Sequence, residues 1–307
     1  MSDRNAAGSR YTVWFLVVVL GLALMGKSAR AAGGQSGMKP DRVITYKEIN
    51  DAKLKLHVFL PDGHSKDDER PAIVFFFGGG WVGGRPDQFF PQCEYLSRRG
   101  MVAISAEYRV RKRHGVTPYE CVTDGKSAVR WVRKHADKLG IDPKRIAAGG
   151  GSAGGHVAAC TGVVEGLEQE GEDKDISSRP NAMVLFNPAL YLAETEELMK
   201  RLGPRLEGKD PERISPYHHV DKKEPPTIIF HGKADKTVPI ETARTFRDAM
   251  EKAGNRCKLV EYKDEGHGFF NYGRGDGKAF YKTMREADKF LTSLGYLKGE
   301  PTLDEFP

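Results

Sequence analysis

Ser152 stands in Gly150-Gly151-Ser152-Ala153-Gly154, a Gly-X-Ser-X-Gly pattern between a strand-like run and a helix-like one. A serine hydroxyl attacks a carbonyl only when a base takes its proton and an acid orients that base. Two later segments supply such groups, each just after a short apolar run. Asp235 lies in His231-Gly232-Lys233-Ala234-Asp235, and His267 lies in Glu265-Gly266-His267-Gly268. The order Ser152, Asp235, His267 is that of a serine acyl-transfer triad carried on strand-to-loop junctions. The glycines have a physical reading. A serine on a tight strand-to-helix turn is strained, and Gly150 and Gly154 lack the Cβ atoms that would keep strand and helix apart. The helix opening at the serine aims free N–H groups at an oxyanion forming beside its Oγ. Glycine is common here, 35 of 307 residues, so the pattern alone also fits an ordinary Gly-rich loop.

A second glycine run, Phe77-Gly78-Gly79-Gly80-Trp81, follows the apolar run 72–77. Without side chains in the way, the N–H groups of Gly79 and Gly80, with that of Ala153, suit an oxyanion hole; the plainer reading is a flexible connection. Trp81 and Phe269 suit pocket-lining and packing equally. His231 is a rival base, but it shares one loop with Asp235 and better suits bracing that turn. His156, His218 and His219 read as helix or loop residues. No carboxylate or cysteine set with ligand spacing accompanies them, so neither a metal nor an organic cofactor is expected.

These groups need elements that bring them to one edge. Runs 43–49 and 53–60 alternate polar and apolar residues, as an antiparallel edge does. Run 72–77 is uninterrupted, as in a strand buried on both faces. Runs 101–106, 145–148, 182–186, 227–230 and 258–262 are further strands, and 88–99, 118–139, 152–167, 240–253 and 278–294 have helical periodicity. The expectation is an α/β fold: a mostly parallel central sheet with antiparallel N-terminal strands and helices on both faces. Ligands in such sheets sit at the carboxyl ends of the strands. The interval 189–222 breaks the rhythm with a charged helical piece at 194–202 and a Gly/Pro-rich loop, and reads as a short cap-like insertion over the site. The catalytic domain is expected over 41–297, with a tail at 298–307.

Hydrophobic content of 39% and charged content of 29% suit a globular domain. Of the net charge of +6, about half belongs to residues 1–31, where Arg4, Arg10, Lys27 and Arg30 face only Asp3. The remainder is too mild for nucleic acid as a partner. Residues 13–26 form an apolar run, preceded by basic residues and followed by Ala29-Arg30-Ala31. This reads as an export signal at 1–31, cut after Ala31, ahead of a Gly/Ser-rich spacer at 32–40; an uncut N-terminal anchor is the alternative. A periplasmic or secreted protein is therefore expected. Of the four cysteines, Cys160 reads as a small core residue, and Cys93 with Cys121 is the pair expected to bridge if any does.

With these segments in this order, the chain resembles an α/β-hydrolase of the hormone-sensitive-lipase-like branch, near the bacterial acetylesterases and acetylxylan/feruloyl esterases. The similarity runs from about residue 43 to residue 294 and takes in Glu107-Tyr108-Arg109 and Gly140-Ile141-Asp142-Pro143. The resemblance implies Ser152 as nucleophile, His267 as base, Asp235 as acid, and Gly79, Gly80 and Ala153 as oxyanion donors. One residue departs from it: the family's oxyanion motif usually begins with a histidine that braces the loop, and Phe77 stands there. The function implied is a serine esterase that hydrolyses short-chain carboxylic esters through an acyl-enzyme, acetyl groups on carbohydrates included. Its partner would be a small-molecule or carbohydrate ester, with no nucleic acid and no stable membrane association unless the N-terminal segment stays uncut. A serine peptidase of the same fold, or a catalytically weak carbohydrate- or partner-binding protein, are the alternatives.

Overall fold

The long apolar runs become the middle of one eight-stranded sheet. The computed structural model describes residues 38–193 and 196–306. The strands are β1 (Arg42–Ile49), β2 (Ala52–Phe59), β3 (Arg70–Phe76), β4 (Val102–Ala106), β5 (Ile141–Gly151), β6 (Ala182–Phe186), β7 (Thr227–Gly232) and β8 (Cys257–Tyr262). Their order across the sheet is β1-β2-β4-β3-β5-β6-β7-β8. Strand β2 runs against both of its neighbours, and all pairs from β4 to β8 are parallel. The burial pattern explains most of the sequence pattern. Strand β2 alternates buried and exposed positions, whereas edge strand β1 is mostly exposed and breaks the expected alternation with a bulge between Thr45 and Lys47. Strands β4, β6 and β7 are buried throughout, as parallel strands covered on both faces have no solvent side to mark with polar residues.

The helices around the sheet are α1 (Phe90–Arg98), α2 (Arg111–His114), α3 (Pro118–Lys134), α4 (Ala153–Val163), α5 (Glu196–Leu206), α6 (Ile240–Lys252) and α7 (Lys278–Ser293). A capping box starts α3: Thr117 and Glu120 satisfy each other's backbone, with Pro118 in the first turn. Helix α4 is buried at every position, and it stops at Val163 rather than near 167. Gly166 and Leu167 adopt left-handed backbone (φ 70° and 54°), which a right-handed helix cannot contain. Helix α5 runs on to Leu206, past the 202 expected. Register then aligns the carboxyl ends: Phe76 pairs with Gly150, Gly151 with Phe186, and Phe186 with Phe230. Ser152, Asn187 and the loops after β7 and β8 therefore leave the sheet along one edge.

The expected Cys93–Cys121 bridge does not form; all four cysteines are free and buried. Cys93 packs within α1, and Cys121 sits in α3 with its thiol donating to the carbonyls of Arg109 (3.1 Å) and Thr117. Both behave as small core residues, and burial pushes both thiols well above their ordinary range. The segment expected as a tail is packed onto the domain: Phe306 is buried against Tyr95 and Phe280. The export signal and most of the spacer lie outside the described residues.

Candidate active site

Strand β5 delivers Ser152 at φ 55° and ψ −121°, a conformation that L-residues rarely hold, and the Ser152 N–H donates to Phe186 O at 2.9 Å. Glycine makes the turn sterically possible. A Cβ on Gly150 would lie 2.5 Å from the Gly154 carbonyl, and one on Gly154 would lie 2.0 Å from Phe76 O. Strands β3 and β5 and helix α4 thus meet backbone to backbone, and α4 begins at the serine.

The loops after β7 and β8 complete a continuous line of hydrogen bonds. His267 Nε2 lies 2.9 Å from Ser152 Oγ, and His267 Nδ1 lies 2.7 Å from Asp235 Oδ2. A proton on Nδ1 facing the carboxylate leaves Nε2 free to accept from the serine hydroxyl. Asp235 Oδ1 accepts from the N–H groups of Thr237 (2.8 Å) and Val238 (2.9 Å). Burial raises the Asp235 pKa, but hydrogen bonds from His231, His267 and the Val238 N–H outweigh it and hold the carboxyl well below the usual carboxylate range. His231 does the bracing expected of it, with Nε2 donating to Val238 O at 2.9 Å and lying 3.4 Å from Asp235.

Three residues not singled out from sequence hold this line in place. Asn187, directly after β6, accepts the Gly268 N–H on its Oδ1 at 2.9 Å. Asn271 Nδ2 donates to Gly268 O (2.7 Å), and Gln88 Nε2 donates to Asn271 Oδ1 (2.9 Å). Gln88 Oε1 then accepts the Gly78 N–H at 2.6 Å. A strut of amides so joins the His267 loop to the glycine loop. Position alone flags Asn187, which follows a strand just as the other site residues do. No sequence signal marks Gln88, which begins a helical segment far from them.

Gly79, Gly80 and Trp81 all have positive φ (129°, 62° and 61°), so this loop is a set of tight backbone turns. Among the described residues, the N–H groups of Gly79, Gly80 and Ala153 donate to no protein acceptor. Gly79 and Gly80 share a cavity of about 450 Å³ with Ser152 and His267. Phe77 leaves the loop braced by other means. Its ring stacks on Tyr108 (4.3 Å between centroids), whose hydroxyl donates to Phe77 O at 2.6 Å, and Arg205 Nη1 of α5 donates to Gly80 O at 3.0 Å.

Trp81 lines the cavity while its indole N–H donates to His156 Nδ1 at 3.1 Å; His156 Nε2 in turn donates to Ile214 O at 2.6 Å. His156 is therefore a neutral pin between the glycine loop and the 189–222 segment, and burial pushes its pKa down to about 4. Phe269 packs on Tyr262 (4.9 Å), and its neighbour Phe270 lines the cavity instead. His219 Nε2 donates to Glu212 O at 2.9 Å. Among the described residues no group of three His, Cys, Asp or Glu side chains is arranged to hold a metal ion.

An activated hydroxyl, a base with its acid, and free N–H groups around one cavity can move an acyl group through a tetrahedral oxyanion. The BD-FAE family model matches residues 56–250, and the dienelactone hydrolase family model matches residues 208–298. The chain is similar to the solved structure of Thermogutta terrifontis esterase 2 phosphonylated by sarin, with 51% identity and a TM-score of 0.83, covering 86% of this chain and 98% of that one. It is also similar to an acetylxylan esterase of Xylanibacter ruminicola (29% identical, 85% of this chain and 52% of that protein). Esterase LipC of Mycobacterium tuberculosis is 30% identical over 65% of this chain and 53% of its own length. The chain thus spans about half the length of the curated relatives it matches, and nearly all of the Thermogutta esterase.

Proposed function

This chain belongs to the BD-FAE family within the α/β-hydrolases, and we propose that it is a serine carboxylesterase that releases short acyl groups through an acyl-enzyme. The observation that carries the reading is the unbroken line from Asp235 through His267 to Ser152, at 2.7 and 2.9 Å. In this reading His267 Nε2 takes the Ser152 proton as Oγ attacks the ester carbonyl. The N–H groups of Gly79, Gly80 and Ala153 receive the negative oxygen, for which no bonds must first be broken. His267 then gives its proton to the leaving alcohol. Water, deprotonated by the same imidazole, attacks the acyl-enzyme and frees Ser152. Asp235 stays ionised throughout, fixing the Nδ1–H tautomer and stabilising the imidazolium. No step calls for a metal or an organic cofactor.

Acyl size and setting belong to the same proposal. Solved structures of the Thermogutta esterase hold propionate and butyrate, and one curated relative is an acetylxylan esterase. These support a short acyl chain and make an acetylated carbohydrate a fitting substrate. Export, proposed from the apolar run 13–26, would bring the enzyme to such polymers.

The test is a series of p-nitrophenyl esters from acetyl to octanoyl, with Ser152→Ala beside the unaltered protein. Turnover should be highest for the shortest chains and fall about ten-thousand-fold or more in the variant, with the fold retained by circular dichroism. Paraoxon should inactivate the protein with one covalent adduct on Ser152. Cleavage of peptides in preference to esters, or glycan binding with no Ser152-dependent turnover, overturns the reading.

A further inference from the structure

The cavity that holds Ser152 is also lined by three arginines: Arg201 and Arg205 from α5, one helical turn apart, and Arg274 from the loop that follows His267. No acidic side chain lines the same cavity among the described residues. Nearby Arg111 pairs with Glu207 at 2.9 Å, but none of these three forms an ion pair with a described carboxylate. Two of them donate instead to neutral backbone: Arg205 Nη1 to Gly80 O (3.0 Å) and Arg201 Nη2 to Thr237 O (2.7 Å). Arg201 Nε is buried with no acceptor among the described residues. Burial, then Arg201 and Arg111, hold the Arg205 pKa below its ordinary value, as expected where guanidinium groups gather. Arg274 Nη1 lies against the His267 loop, 2.9 Å from where a Cβ on Gly268 would sit.

Arginine is suited to this place for a reason beyond charge. Its planar fork meets the two oxygens of a carboxylate at once, and it is more weakly hydrated than lysine. A concave cavity with cations of one sign also concentrates anions near the reacting carbonyl. A cavity of about 450 Å³ far exceeds what an acetyl or propionyl group fills, so part of it is left for the remainder of the substrate.

We infer that the esters hydrolysed here carry a carboxylate a few bonds from the scissile ester, received by Arg201 and Arg274 with Arg205 holding the glycine loop beside them. The inference rests on the esterase reading above and narrows its substrate class. The carboxylate can belong to either half of the molecule, as in an acylated acidic sugar or a half-ester of a dicarboxylic acid. Two pairs of esters separate these sources: 4-acetoxybenzoate against neutral 4-acetoxybenzamide for the alcohol half, and mono-4-nitrophenyl succinate against 4-nitrophenyl pentanoate for the acyl half.

The quantity to read is the ratio of kcat/KM, charged ester over neutral, in the unaltered protein and in Arg201→Gln/Arg274→Gln. Intrinsic reactivity of each ester cancels when the two proteins are compared. We expect the ratio to fall at least about tenfold in the double variant for one of the pairs, chiefly through KM, the loss expected when a charge-assisted hydrogen bond is removed. Arg201→Lys/Arg274→Lys should restore part of it, and moving from 0.02 to 0.5 M NaCl should narrow the ratio in the unaltered protein alone. Ratios that do not change in either pair overturn the carboxylate inference and leave the esterase intact. Absence of Ser152-dependent turnover on all four esters overturns both.

Discussion

On one side of the cavity, where β3, β5 and α4 converge on Ser152, backbone meets backbone through glycine. On the other side, α5 contributes Leu198, Leu202, Arg201 and Arg205, long side chains whose ends form the wall. The first side has no slack, because a single added carbon at Gly154 would overlap Phe76 O at 2.0 Å. The second has room: a Cβ on Gly203, within α5, would meet nothing within 4 Å. The lesson is a division of labour. Chemistry is fixed by backbone geometry that tolerates no change, and the facing wall is built of side chains, of which Arg205 alone reaches across to hold Gly80 O.

The sharpest way to break that comparison is to add the same methyl group to both sides. Gly154→Ala should lose about 4 kcal/mol or more, or fail to fold, since the clash is with backbone that cannot rotate away. Gly203→Ala should stay within about 0.5 kcal/mol: helix propensity favours alanine, and the restriction imposed by the following Pro204 opposes it. Equal losses in urea unfolding would erase the distinction between the two sides.

A somewhat smaller effect concerns the pin between them. His156 is buried, with a folded pKa of about 4 against about 6.5 in an unfolded chain. Above about pH 6.5 the imidazole is neutral in both states and nothing is lost. As pH falls from there to about 4, the unfolded chain takes up the proton first, so stability drops by about 3 kcal/mol from this group alone. Unfolding measured at pH 7 and pH 4 should show a shallower pH slope in His156→Gln; an identical slope would remove His156 from the account.

The smallest effect tests the strut. Gln88→Ala leaves the Gly78 N–H without its 2.6 Å partner and cuts the link to Asn271. A loss of about 1–2 kcal/mol is expected, with kcat for a p-nitrophenyl ester lowered about tenfold and KM little changed. Unaltered kcat would mean that Phe77 stacking and Arg205 hold the glycine loop by themselves.

Much of the architecture was legible because burial writes itself into the chain. Strands covered on both faces read as apolar runs, β2 alternates, and every expected strand has its counterpart, although 145–148 turned out to be the inner part of an eleven-residue strand. Helix ends were less legible, since left-handed residues such as Leu167 carry no compositional mark. The Cys93–Cys121 expectation failed because an expected export signal permits a bridge without requiring one, and both thiols pack as small core groups. His156 was read as an ordinary helix residue, because its partners Trp81 and Ile214 lie 75 and 58 positions away.

By itself the sequence determined which groups were available for chemistry and in what order. Glycines around a serine, and an acid and a histidine just past later strands, are local facts set by turn geometry and strand burial. The tertiary structure alone decided how those groups are held and what faces them. The amide strut, the imidazole pin and the arginine-lined cavity all bring together segments distant along the chain, and such pairings depend on the packing of the folded sheet rather than on any local pattern of residues.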